Sequence, residues 1–446
     1  MKNKFFLTNA ISDLNRILFS YFTIITIIII LTSFLFFYPC GDITQLIGNP
    51  DEANLADLAR NIAIGKGAVV NTAWIHTNGG MEGNSLPQPE PYWSLYPAYI
   101  IAIFFKLFGF SRNVFILPAL LMRAIIIGLC LFLVREQTKS WPACFLITFI
   151  LTLSNTLNNY VNGLSDIYLG CFMSMSIFFL SLACSRKKSS LALFVVSGIF
   201  GGATVGIKIS GIFSFSVLFI LIIRLFNSND FKQSLRQIFL YLIGSTTGLS
   251  AYVVYNIKHF GSIFPAGYRL ASEAGRINHA LRYIDNQAYF SGINAFYNPD
   301  ISFKNIDNPP SYLIYLKDNF REFVGNIFDG QILQAWWLIF ALSGIYLVVR
   351  RAKNNGFQIL NINEWFVLFS IPIIVCGLAL GFLINYQPRY WLFCAPSILI
   401  SSIYAIHNLV RKPNIIYSFI AILSLPWVIF GSVNLITKRV VPMLLI

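Results

Sequence analysis

The sequence predicts an all-α polytopic membrane protein, and three observations carry that prediction. Of its 446 residues, 56% are hydrophobic and only 11% charged, whereas a soluble domain carries about a quarter charged residues. Apolar stretches of about 18 residues or more recur from end to end, each long enough to cross a bilayer. The basic residues behind the net charge of +14 gather in short runs beside those stretches: Arg186-Lys187-Lys188, Arg350-Arg351-Ala352-Lys353 and Arg411-Lys412. That is the positive-inside pattern of a membrane protein rather than a nucleic-acid surface, so no nucleic-acid partner is expected.

A first span runs from Ile17 to Tyr38, behind Lys2, Lys4 and Arg16. It is too long for a signal-peptide core and lacks a small-residue cleavage site, so it reads as a retained helix with a cytoplasmic N-terminus. Further helices are predicted at 93–109, 113–134, 142–160, 164–184, 191–206, 209–226, 236–256, 333–350, 364–384, 389–408 and 414–434. The expected total is about 11–13 spans, although 93–109 and 191–206 are short for a crossing. Two polar segments, 39–91 and 257–331, face water. They divide the chain into an N-terminal membrane module (1–256) holding the first outer loop, a second outer loop (257–331) and C-terminal helices (332–446).

Charge sets the sidedness. The basic runs after the helices ending at 184, 350 and 408 belong in the cytoplasm, which puts both polar segments outside. Seven apolar segments lie between those two loops, yet loops on one side require an even number of crossings. One segment therefore does not cross, or merges with a neighbour. The seven cysteines (Cys40, Cys130, Cys144, Cys171, Cys184, Cys376, Cys394) sit in or beside apolar segments without paired spacing. They read as packing residues rather than a disulfide framework or a metal knuckle.

The first outer loop carries the densest chemistry. Gly48-Asn49-Pro50-Asp51-Glu52-Ala53-Asn54 leads into a helical pattern over 52–64 that stops at Gly65 and Gly67. Asp51 occupies the N-cap position and Glu52 the first turn, where both acids also suit the helix dipole. Pro89-Glu90-Pro91-Tyr92-Trp93-Ser94-Leu95-Tyr96-Pro97 then leads to the helix ending Lys106-Leu107-Phe108-Gly109.

This order resembles the GT-C glycosyltransferases, particularly the protein O-mannosyltransferases and the transferases that add aminoarabinose to lipid A. Shared features are the acidic pair after helix one, the Ala59-Arg60-Asn61 helix and the Pro/Tyr-rich lead-in to helix two. Arg123, Leu164-Ser165-Asp166, the Gly206-Ile207-Lys208-Ile209-Ser210-Gly211 turn, Phe260-Gly261-Ser262 and Pro388-Arg389-Tyr390 with Pro396 follow in the same order. Two positions depart from the aminoarabinose group: Pro91 and Asn54 stand where that group has basic residues, so those phosphate contacts do not carry over.

The resemblance implies transfer of a sugar from a polyprenyl-phosphate donor to a lipid, glycan or protein acceptor on the extracytoplasmic face of a bacterial inner membrane. Asp51 is implied as the general base. Glu52 and Glu90 would orient the acceptor or hold a divalent cation, although no His/Asp/Glu spacing specifies a metal. Arginine and lysine suit the leaving phosphate, which nominates Arg389 and Lys208, with Arg60, Asp166 and Tyr390 as further binding candidates. Intramembrane ionisable groups usually face a cavity; Arg123 and Asp166 have the alternative reading of a structural ion pair. Most charges of the 257–331 loop read as a solvated face. Rival functions are a lipid-linked-sugar flippase or secondary transporter, which would show inverted repeats, and an O-antigen polymerase or ligase.

Overall fold

The computed structural model describes residues 50–71, 88–89, 95–153, 165–185, 191–228, 230–263, 335–383 and 393–420. The first predicted span and nearly all of the second outer loop lie outside them. The described elements are helical apart from one two-residue strand pair. They are α1 (Pro50–Ala63), α2 (Leu95–Phe108), α3 (Arg112–Thr138), α4 (Trp141–Leu153), α5 (Ser165–Ser185), α6 (Leu191–Ile207), α7 (Val217–Phe226), α8 (Phe231–Phe260), α9 (Ala335–Asn355), α10 (Ile362–Leu383) and α11 (Ala395–Leu409). Among the described residues, five helices are long and apolar enough to cross a membrane, one of them joining the 3-10 turn Ile209–Ser216 to α7. The chain is a multi-pass membrane protein of the predicted class.

Hydrophobic runs set most helix bounds, and polar chemistry sets the rest. α8 begins five residues before its predicted start, because Asp230 caps it by accepting the Gln233 N–H at 3.0 Å. Lys232 and Arg236 interrupt the apolar run there without interrupting the helix. α11 starts six residues later than predicted, at Ala395, where Pro396 stands in the first turn and its fixed φ suits a helix start. Small residues let α6 and α8 close on one another. A Cβ at Gly202 or at Gly244 would run into the partner helix's backbone, the packing device common where two helices have lipid rather than water around them.

Helix directions follow from contacts at the ends. At one face, the Arg224 guanidinium lies 3.0 Å from Cys184 Sγ and 5.2 Å over the Trp365 ring. This joins the C-terminal ends of α5 and α7 to the start of α10. Arg351 of α9, Glu364 of α10, Tyr404 of α11 and Gln137 of α3 meet at the same face. At this Arg351 face, Arg350, Arg351 and Lys353 lie in the last turns of α9, and Arg411 and Lys412 follow α11. At the opposite face, Asp166 at the start of α5 meets Lys208 just beyond α6.

These directions identify the apolar segment that does not cross. Tyr96, in the first turn of α2, donates to the Gly248 carbonyl at 2.7 Å and accepts the Tyr252 N–H at 3.3 Å. Its ring lies so close to Gly206 that a Cβ there would stand 2.6 Å from it. The beginning of α2 is therefore level with the end of α6, on the Lys208 face. Its other end passes through residues 109–111 into the start of α3, whose far end is on the Arg351 face. Both ends of α2 thus belong to the Lys208 face. Removing it from the seven apolar segments leaves six, the even number that the two loops require.

Six cysteines lie among the described residues, all as free thiols in or beside the helix cores, consistent with a packing role.

Candidate functional site

α1 and its following turn form the floor of the candidate site. Leu55, Leu58 and Ala59 bury one side of the helix, together with Asn54 and Asn61, and this side packs against α2. The helix includes Pro50 and Asp51, so Asp51 sits in the first turn rather than at the N-cap expected from sequence. Proline at the first helical position has a φ suited to helix entry and no N–H to leave unbonded. The Asp51 side chain lies outside the described atoms. Glu52 is 6% exposed and engaged with neighbouring groups, a buried carboxylate at the dipole's positive end.

The helix stops where the sequence said it would. Gly65 has φ +84°, the left-handed conformation glycine adopts without strain. Lys66 N–H bonds to the Asn61 carbonyl at 2.9 Å and Gly65 N–H to the Ile62 carbonyl at 3.1 Å, the paired pattern of a Schellman cap. The chain then folds back along α1. Asp57 accepts the Asn71 N–H at 2.7 Å and its side-chain amide at 2.9 Å, while Asn61 donates to the Val69 carbonyl at 2.9 Å. Val69–Val70 pairs antiparallel with Gln88–Pro89, Val69 opposite Pro89, so the excursion between them leaves and returns at one place. Tyr255 of α8 donates to the Ala68 carbonyl at 2.8 Å. The first outer segment is thereby fastened to the membrane helix that leads into the second.

Lys208 and Asp166, nominated separately for substrate contacts, are partners. Lys208 Nζ lies 2.6 Å from Asp166 Oδ1, with side chains 18% and 3% exposed. Lys208 leaves the helical path at the end of α6, with extended backbone (φ −158°, ψ 143°), and precedes the 3-10 turn. Its N–H still closes on the Thr204 carbonyl at 3.0 Å. Asp166 lies in the first turn of α5, where the dipole favours a carboxylate. The other partner considered for Asp166, Arg123, is engaged with α4, where its Nη2 donates to the Leu151 carbonyl at 2.9 Å.

The remaining candidates divide. Arg60 is exposed in the last turn of α1, roughly 12 Å along the helix axis from Glu52 at 1.5 Å per residue. Glu90, Arg389 and Tyr390 fall outside the described residues. Among the described residues, no group of three or more His, Cys, Asp or Glu side chains is arranged to hold a metal ion. Sequence reasoning missed Asp57, Asn61, Asn71, Tyr96 and Tyr255. The i,i+4 spacing of Asp57 and Asn61 was a usable signal, whereas the tyrosine contacts span more than 150 residues and leave no local one.

Residues 91–256 match the family described as dolichyl-phosphate-mannose-protein mannosyltransferase. No curated protein sequence matches the chain. Among solved structures, the archaeal oligosaccharyltransferase AglB from Archaeoglobus fulgidus, in complex with an inhibitory peptide and a dolichol-phosphate, aligns at 12% identity and TM-score 0.52. The alignment covers 93% of this chain and 55% of that one. The Archaeoglobus fulgidus oligosaccharyltransferase tethered to an acceptor peptide aligns at 13% identity and TM-score 0.54, covering 95% and 55%. ArnT from Cupriavidus metallidurans, bound to undecaprenyl phosphate, aligns at 14% identity and TM-score 0.48, covering 90% and 62%. The chain spans little more than half the length of the oligosaccharyltransferases. It has the fold of the GT-C membrane glycosyltransferases, with residues 91–256 matching the dolichyl-phosphate-mannose-protein mannosyltransferase family.

Proposed function

We propose that the chain transfers a sugar from a polyprenyl-phosphate-linked donor to an acceptor hydroxyl or amine at the Lys208 face, which would be the extracytoplasmic face of a bacterial inner membrane. The observation that carries this reading is the gathering at one face of α1 with its acidic first turn, the start of α2 and the Lys208–Asp166 pair. Apart from α1, these parts fall within the segment that matches the mannosyltransferase family. The dolichol-phosphate of the AglB complex supports a lipid phosphate as the donor's leaving group.

In this reading Asp51 accepts the acceptor's proton as the acceptor attacks the anomeric carbon. The bond from that carbon to the phosphate oxygen breaks, and the polyprenyl phosphate departs with the electron pair. Attack opposite the phosphate inverts the anomeric centre, through an oxocarbenium-like transition state. A carboxylate in a partly dry site is a stronger base than one in water, because burial disfavours its charged form. Lys208 meets the charge that grows on the leaving phosphate, helped by Arg389 and, at the edge, Arg60. Asp166 holds the Lys208 ammonium in place. Glu52 and Glu90 orient the acceptor, with or without a divalent cation, and Tyr390 lines the donor site.

The test is transfer from radiolabelled polyprenyl-phosphate-sugars in membranes holding wild type or Asp51→Asn at equal expression. Transfer that collapses in the variant is the expected result. Equal transfer by both would reduce Asp51 to a helix-start residue. Movement of sugar-lipid across the membrane without any transfer would replace the enzyme with a transporter.

A further inference from the structure

A second polar site lies on the Arg351 face, away from the residues assigned to transfer. A cavity of about 250 Å³ opens between the ends of α3, α9, α10 and α11, and its lining includes Glu136, Gln137, Arg351, Asn363, Glu364 and His407. Glu364 is fully buried and already satisfied. It pairs with Arg351 Nη1 at 2.6 Å and accepts from the Tyr404 hydroxyl at 2.8 Å and the Asn361 N–H at 2.8 Å. The Asn361 side chain accepts the Glu364 N–H in return at 3.0 Å, a reciprocal cap at the start of α10. Glu364 therefore fixes the wall and has nothing left to offer a ligand.

Other lining groups do. Among the described residues, Asn363 Oδ1, Gln137 Oε1, Gln137 Nε2 and His407 Nδ1 are buried without a hydrogen-bond partner, and Asn363 is only 3% exposed. Buried polar atoms without partners are costly, so several converging on one cavity mark a place built for something polar. The set is unbalanced toward acceptance. Asn363 Oδ1 and Gln137 Oε1 only accept, as does His407 Nδ1 when the neutral ring carries its proton on Nε2; against them stands one amide donor. Each carboxylate at the cavity has a cation beside it: Glu364 pairs with Arg351 at 2.6 Å and Glu136 with Lys139 at 3.2 Å. The second pair has side chains 48% and 65% exposed and is weak enough for Glu136 to turn to a ligand.

We propose that this cavity binds a primary ammonium group, whose three N–H donors would meet Asn363 Oδ1, Gln137 Oε1 and His407 Nδ1 while its charge faces Glu136. An anion would meet one unpartnered donor against three acceptors, and a quaternary ammonium has no N–H to give. The cavity stands at the helix ends, where lipid headgroups lie, so the ammonium belongs to a phosphatidylethanolamine headgroup or to a small free amine. The proposal does not depend on the transfer chemistry at the other face.

The experiment uses the full chain in nanodiscs of equimolar phosphatidylethanolamine and phosphatidylcholine, with retained lipids identified by native mass spectrometry. A second arm measures free ethanolamine binding by saturation-transfer NMR in phosphatidylcholine nanodiscs. The expected result is retention of phosphatidylethanolamine over phosphatidylcholine by about tenfold, or ethanolamine binding in the second arm if the source is a free amine. Either preference should fall in Gln137→Leu and in Glu136→Gln. The latter changes a half-exposed side chain and guards against a folding artefact. Equal retention of the two lipids with no ethanolamine binding overturns the proposal and leaves a water-filled polar cavity. Preference unchanged in both variants overturns it as well.

Discussion

Lys208 Nζ lies 2.6 Å from Asp166 Oδ1, joining residues 42 apart in sequence, one at the start of α5 and the other just beyond the end of α6. The pair is nearly closed to solvent and sits where α2 begins, so it has both a structural cost and a chemical use. Burying two charges costs more than an exposed pair returns, and the arrangement is stable only while both partners remain. A cation held in this way is oriented before any lipid phosphate arrives.

Removing one partner should therefore hurt more than removing both. Lys208→Met leaves a carboxylate buried alone and is expected to destabilise the detergent-solubilised protein by about 3 kcal/mol. The double change Lys208→Met with Asp166→Asn should recover part of that loss. A thermal-unfolding cycle over the four proteins checks this, and additive effects would mean that the two side chains do not support one another.

The same lysine should separate chemistry from stability. If it stabilises the leaving phosphate, Lys208→Ala lowers sugar transfer by roughly 100-fold, and Lys208→Arg restores a measurable part of it because the charge and its reach are kept. Folded Lys208→Ala protein with wild-type transfer would remove Lys208 from the donor site.

Two tyrosine hydroxyls fasten the outer elements to α8, and they should fail differently. Tyr96→Phe removes bonds to Gly248 and Tyr252 within the helix bundle and should cost about 1–2 kcal/mol of global stability. Tyr255→Phe frees the Ala68 carbonyl and should raise hydrogen exchange over residues 64–71 while the unfolding temperature hardly moves. Mass-spectrometric exchange beside thermal unfolding distinguishes the two.

The return of α2 to its own side can be read by chemistry. In a chain freed of reactive native thiols, cysteines placed at Ser94 and Ser111 should be labelled from the same side of sealed vesicles. Labelling from opposite sides would make α2 a crossing helix.

The helices were legible because lipid imposes one strong rule: a backbone in hydrocarbon must satisfy its own hydrogen bonds, and apolar length reports where it does so. The starts of α5 and α6 agree with the sequence reading to within a residue for that reason. Hydropathy carries no direction, so the sequence exposed an odd crossing count and could not say which segment was at fault. Contacts made by Tyr96 with Gly206, Gly248 and Tyr252 supply that answer. At the candidate site, Asp166 and Lys208 were legible as costly intramembrane charges, while their pairing was not, since nothing local links residues 42 apart. Asp51 was read two positions out, because α1 begins at Pro50 rather than at Glu52.

The uncharged run of α8 between Arg236 and Lys258 is ~32 Å long at 1.5 Å per residue, close to a hydrocarbon slab of ~30 Å. In a thinner bilayer such a helix tilts further. One turn before its end, Tyr255 grips the Ala68 carbonyl in the turn after α1, so tilt at α8 is passed to the outer elements as displacement. Acyl-chain length then bears on the outer elements as well as on the bundle, and lipids matched to α8 would hold the start of α1 at one height above the membrane.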